Sequence, residues 1–275
     1  MADFYPSGVI TITTDFGHKG PFTAVMKGVI LQRFRQGTIV DLTHEIPAHW
    51  PPEAGFWLSR SYKYFPRGTV HVAIVDPGVG TEREILVAAL DGHVFMAPDN
   101  GLLASLLTKQ DGTEVYALDS SRLANLKLPV PSATFHGRDI FAPVAAELAA
   151  GRLRPVDTGR RIREWAPEWL DEPEVTPARV SGVIVTIDAF GNLISNIDGN
   201  LLSHLAAPQV RLGGHTIDLV ETYGRTQPGN YLALVNSFGV LEIARAEGNA
   251  AEGLGSDRGA PVVVTARQPP SSRGA

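Results

Sequence analysis

Three apolar runs in the first third of the chain each stop at an aspartate: VITITT before Asp15, TIV before Asp41 and VHVAIV before Asp76. Runs of this kind, rich in β-branched residues and three to six long here, read as strands. Segments with helical spacing lie between them, at 23–34 (TAVMKGVILQRF) and 53–65 (EAGFWLSRSYKYF). Strand–helix alternation restricts the first part of the chain to an α/β layout, with a mostly parallel sheet carrying helices on both faces. In such sheets ligands bind beyond the carboxyl ends of the strands. An aspartate there either caps the next turn or faces the crevice. Two of the three are followed by glycine turns, DFG and DPGVG, and together they point to a binding edge.

The pattern continues with ILVAAL (85–90) and HVFMA (93–97) around Asp91-Gly92, a hairpin signal. Helical spacing returns at 101–109 and at 138–151, where Gly151 is placed to cap. The expected N-terminal α/β domain spans 1–165. Residues 166–178, APEWLDEPEVTPA, hold three prolines and four acidic residues and read as a linker. From 179 to 267 the pattern is mostly strand, including VSGVIVTI, QVRLGG, HTIDLV, NYLALVN, GVLEIAR and APVVVTAR, which predicts an all-β barrel-like domain. The tail 268–275 reads as disordered.

Composition removes several chemistries. There is no cysteine, so disulfides, thiolate metal sites and thiol nucleophiles are out, and a cytoplasmic protein is expected. No run of 18 apolar residues suggests a membrane span, and MADFYPSG does not read as a signal peptide. A net charge of −5 gives no reason to expect nucleic acid. GxxxxGK[ST], GxGxxG and GxSxG are missing. HEIPAH (44–49) is one residue too long for HExxH, and Pro47 would break the helix that motif needs.

The candidates that remain are Asp76 and Arg83 at the two ends of DPGVGTER, His136 of TFHGRD, and Asp188 with Asn192 in DAFGN. Each alone has an ordinary structural reading: a surface ion pair, a helix-start hydrogen bond, a tight turn. Taken in order, ITITTDFG, VDLTHEIP, VAIVDPGVGTERE, APDNGLL, TFHGRD, IDAFGNLISNI and NSFGVLEIA resemble the S-adenosylmethionine (SAM) hydroxide adenosyltransferases, or SAM hydrolases, relatives of the fluorinase and chlorinase. The resemblance runs from about residue 9 to 266.

It implies water or hydroxide attack on ribose C5′ of SAM, giving adenosine and methionine without metal or cofactor. It also implies a homotrimer with active sites between the N-terminal domain of one chain and the C-terminal domain of the next. Asp76, Arg83 and His136 fall on the family's catalytic group. Substrate contacts fall on Asp15 (ribose hydroxyls), Trp50 (beside the ribose), Asp188 and Asn192 (amino-acid part and adenine edge), Tyr223 (against adenine), and Ser237, Glu242 and Ala244 (the rest of the pocket). The halogenating relatives carry tyrosine at the place of Asp76, and the short Asp91-Gly92 turn leaves no room for the fluorinase insertion; both favour hydrolysis. Phe238 replaces a fluorinase arginine, leaving Arg245 as the candidate for the methionine carboxylate. From a different class, a SAM- or adenosine-binding sensor with incidental turnover is the alternative.

The chemistry is coherent. A sulfonium loses a neutral thioether, so no general acid is needed; the scarce component is the nucleophile. A carboxylate, a guanidinium and an imidazole together read as a cradle for hydroxide, with Asp76 either accepting a proton from water or only orienting it.

Overall fold

The computed structural model describes residues 4–109 and 112–267, so the tail 268–275 lies outside the described residues. The chain divides into two compact units, Met1–Trp169 and Leu170–Ala275. Among the described residues no helix is long and apolar enough to cross a membrane.

The first unit holds β1 (Val9–Thr14), α1 (Phe22–Arg33), β2 (Thr38–Thr43), α2 (Pro51–Ser61), β3 (Val70–Ile74), β4 (Ile85–Leu90), β5 (His93–Pro98), α3 (Ala104–Thr108), β6 (Glu114–Leu118), α4 (Ala142–Ala149) and β7 (Gly159–Ile162). The sheet order is β2-β1-β3-β5-β4-β6-β7. Strands β2, β1, β3 and β5 run parallel, and β4, β6 and β7 continue antiparallel, so the sheet is mixed.

The period-two pattern places a core on each face. Val70, Val72 and Ile74 join Ile10, Ile12, Val94 and Met96 under Met26 and Ile30 of α1 and the alanines of α4, with Phe141 just before α4. Ala73, Val75, Phe95 and Ala97 point the other way, against Ala54, Leu58 and Leu106 of α2 and α3. Helices therefore cover both faces. The second face also buries a polar chain: Thr11 Oγ1 lies 2.8 Å from His71 Nδ1, and His71 Nε2 lies 3.2 Å from His93 Nδ1. Burial pushes His71 down to about 3, so it sits neutral in the core, and burial lowers His93 as well.

Three local expectations change. Asp41 does not end its strand: β2 runs on to Thr43, and Asp41 pairs with Lys27 at 2.5 Å. Helix α3 covers only Ala104–Thr108, because Gly101 is left-handed (φ 89°) and belongs to a turn. The helix over 138–151 opens with a π-helical turn, Gly137–Phe141, before α4. Pro143, with no N–H to give back, sits just inside the regular helix. Asp91 (φ 49°) and Gly92 (φ 75°) form the two-residue β4–β5 turn that needs positive φ at both positions.

The second unit holds β8 (Glu174–Val175), β9 (Arg179–Ile187), β10 (Leu193–Asp198), β11 (Pro208–Leu212), β12 (His215–Asp218), β13 (Tyr231–Val235), β14 (Val240–Arg245), α5 (Ala250–Leu254) and β15 (Pro261–Ala266). The ladder β12-β11-β15-β9-β10-β14-β13 is antiparallel throughout, with β8 on β9. Its ends meet where Val220 N donates to Ala233 O at 2.8 Å, so the sheet is a nearly closed barrel. Val180, Ile184, Leu193, Val210, Leu241, Ile243 and Val264 fill it.

Candidate active site

In the first unit the DPGVGTER segment is a double turn. Val79 N donates to Asp76 O, and Thr81 N to Gly78 O. Gly80 has φ 80°, and a Cβ there would stand 2.1 Å from Ala133 O. The turn can therefore lie flat on the loop leading to His136 only with glycine at 80. Arg83 returns onto Asp76: Nε is 3.0 Å from both carboxylate oxygens, and Nη2 also donates to Oδ2. The side chains are 5% (Asp76) and 11% (Arg83) exposed, so the pair is desolvated and geometrically fixed.

The same Nη2 lies 3.0 Å from His136 Nδ1. Arginine can only donate. His136 must therefore accept on Nδ1 and carry its proton on Nε2. Burial first, then the Arg83 charge, holds His136 below its ordinary range, while Asp76 and Asp139 oppose this. Among the described residues, His136 Nε2–H and Arg83 Nη1–H have no protein acceptor. The site thus presents two donors and one carboxylate, suited to a small anion or a polarised water.

His136 immediately precedes the π-helical turn, which is held by Asp139, a buried residue that accepts from Arg138 and from Ser132 N at 2.9 Å. A protonated His136 would put an N–H against the Arg83 N–H. We expect kcat/KM to stay level through neutral pH and fall on an acid limb below the ordinary histidine value of about 6.5. A pH–rate profile checks this; a limb at or above that value contradicts the neutral tautomer.

Asp15 follows β1, and its Oδ2 accepts from His49 N at 3.1 Å. This is the role of HEIPAH that sequence reading missed. The segment is not helical; His49 takes a left-handed backbone (φ 62°) and offers its N–H to Asp15, and Trp50 follows directly. His44 is buried, with Nδ1 2.9 Å from Thr14 Oγ1 and Nε2 3.0 Å from Asp41 Oδ1. Thr14 Oγ1 in turn accepts from Phe16 N. This chain fixes the backbone around Asp15.

In the second unit, Asp188 Oδ1 accepts from Phe190 N and Asn192 N at 2.9 Å, and Oδ2 from Asn192 Nδ2 at 3.0 Å. Gly191 (φ 82°) packs on the Asn249 side chain, where a Cβ would stand 2.2 Å away. Tyr223 O–H donates to Glu242 Oε1 at 2.5 Å, and Asn236 Nδ2 to Oε2 at 3.0 Å. Burial and Glu242 push the Tyr223 phenol up, so it stays protonated.

A cavity of about 530 Å³ is lined by Asp188, Phe190, Asn192, Tyr223, Arg245 and Glu247, a size that suits a small organic ligand. Phe190 and Glu247 are lining residues that sequence reading did not single out. Ser237 lies at the exposed β13–β14 turn, Glu242 reaches the cavity through Tyr223, and the Ala244 methyl packs with Leu232, Leu234 and Ala246. Arg245 lies over the Tyr231 ring, with Nε donating to Gly229 O at 2.9 Å. The structure thus gathers Asp76, Arg83 and His136 in one cluster, and Asp188, Asn192 and Tyr223 in another.

Family models for the SAM hydroxide adenosyltransferase N-terminal and C-terminal domains match residues 10–158 and 182–263. An (R)-S-adenosyl-L-methionine hydrolase of Thermus thermophilus is 36% identical, over 90% of this chain and 96% of its own. A fluorinase of Actinopolyspora mzabensis is 25% identical, over 96% and 99%. The crystal structure of an uncharacterized conserved protein from Thermotoga maritima superposes with a TM-score of 0.85 at 33% identity, covering 94% of this chain and all of that one.

Proposed function

The chain belongs to the SAM hydroxide adenosyltransferase family, and from that premise we propose that it hydrolyses SAM to adenosine and methionine. The observation that carries the reading is the 3.0 Å contact of Arg83 Nη2 with His136 Nδ1, which makes both residues donors around the Asp76 carboxylate. Water sits against Asp76 and is polarised by Arg83 and the His136 Nε2–H. Its oxygen forms a bond to C5′ as the C5′–S bond breaks. The bonding pair goes to sulfur and discharges the sulfonium, and the water proton leaves by way of Asp76 or solvent. The negative charge that develops on the water oxygen as its proton leaves meets the sulfonium charge in the transition state, so a dry cradle strengthens their attraction.

The departing thioether is neutral and the nucleophile is held by side chains, so the reaction asks for no cofactor; SAM is the substrate. The name of the Thermus relative favours the (R) sulfonium epimer. The working assembly in this proposal is a cytoplasmic homotrimer, with each site formed by Asp15, Trp50, Asp76, Arg83 and His136 of one chain and the 188–245 residues of the next. The family resemblance supports it.

The test is incubation with each SAM epimer, with and without chloride or fluoride, and product identification by mass spectrometry. Adenosine and methionine are expected whatever the halide. A 5′-halogenated adenosine, or no turnover of either epimer, contradicts the proposal.

A further inference from the structure

We propose that Asn100 is a positioning residue that clamps the catalytic turn shut; the proposal rests on the hydrolase reading above. Asn100 Nδ2 donates to Val75 O at 2.8 Å, and Val75 immediately precedes Asp76. The neighbouring Asp99 N donates to Glu84 O at 2.9 Å, and Glu84 immediately follows Arg83. One two-residue step thus grips both stems of the segment that carries the carboxylate and the guanidinium. Asn100 Oδ1 accepts from Leu102 N at 3.3 Å, so the amide is oriented by its own turn, nitrogen toward Val75.

The clamp also reaches Trp50. The Asn100 carbonyl accepts from Trp169 Nε1 at 2.5 Å, and the Trp169 ring meets Trp50 edge-on, with centroids 6.3 Å apart at 67°. Gly101 permits the approach: a Cβ there would lie 2.3 Å from Pro167 O and 2.8 Å from the Trp169 ring. Ala166 N donates to Asp99 Oδ1 at 2.8 Å and fastens the same strand of chain. Asn100 therefore joins the Asp76–Arg83 turn to the Trp50 wall without being a catalytic residue itself.

Asn100→Asp keeps the shape but turns a carboxylate oxygen toward the Val75 carbonyl. With SAM as substrate, it should lower kcat by about 10- to 100-fold, the scale of a small displacement of reacting groups, with KM changed less than about twofold. Loosening Arg83 from His136 should also move the acid limb of the kcat/KM profile up toward the ordinary histidine value, a readout that a merely structural role would not shift. Trp169→Phe keeps a ring, loses the bond to Asn100, and should raise KM severalfold with a smaller effect on kcat. It serves as the second arm if Asn100→Asp does not fold. Unchanged kcat and an unmoved acid limb in folded Asn100→Asp, or an unchanged KM in Trp169→Phe, overturns the clamp. Wild-type protein that releases no adenosine and methionine overturns the hydrolase reading instead.

Discussion

Arg83→Lys should lower kcat by about 10²-fold while the protein stays folded, as judged by steady-state kinetics beside thermal unfolding. The substitution keeps the positive charge and removes the fork. A lysine ammonium cannot span both Asp76 oxygens and still donate to His136 Nδ1, as Arg83 does at 3.0 Å to each. Without that bond His136 is free to take the other tautomer, and the Nε2–H facing the nucleophile is lost. Asp76→Ala should be at least as damaging, but it also strands a guanidinium that is 11% exposed. Breaking a buried pair in this way costs about 3–5 kcal/mol, so the lysine variant separates chemistry from stability more cleanly. Arg83→Lys with wild-type kcat would remove the cradle from the mechanism.

Mixing two inactive variants should restore activity. His136→Ala damages the cluster in the first unit, and Asn192→Ala removes an amide that lines the cavity in the second. Each alone should lose about 10²-fold or more. If sites form between chains of a trimer, random subunit exchange should leave about one site in four with both halves intact. Activity near that fraction of wild type is the expected outcome, measured after exchange and confirmed by mass analysis of the mixed trimers. Mixed trimers no more active than the parents would place both halves of a site in one chain.

Much of the fold follows from local pattern. Runs such as VHVAIV alternate between two buried faces, and Asp91-Gly92 supplies the two positive-φ residues its turn needs. The DPGVGTER cluster is legible because proline and glycines force the chain back on itself within seven residues. Strand direction was harder to see. ILVAAL is buried along its whole length, and such a run reads alike in parallel and antiparallel sheets. Asp41 reads as a strand end because a charge inside a strand is unusual; Lys27 and His44 accommodate it. The His49 N–H that holds Asp15, and the Asn100 link from Val75 to Trp169, join residues far apart in sequence through backbone groups. Backbone donors and acceptors leave no signature in side-chain identity. In the barrel, the period-two rule assigns Ile243 to the interior and Ala244 to the opposite face, beside Leu232, Leu234 and Ala246.

The source of the new oxygen tests the central claim most directly. A turnover run in ¹⁸O-enriched water, with the products resolved by mass spectrometry, should place one heavy oxygen in adenosine, at the 5′-hydroxyl, and none in methionine. Adenosine without the label, or label appearing in methionine, would contradict attack of water at C5′.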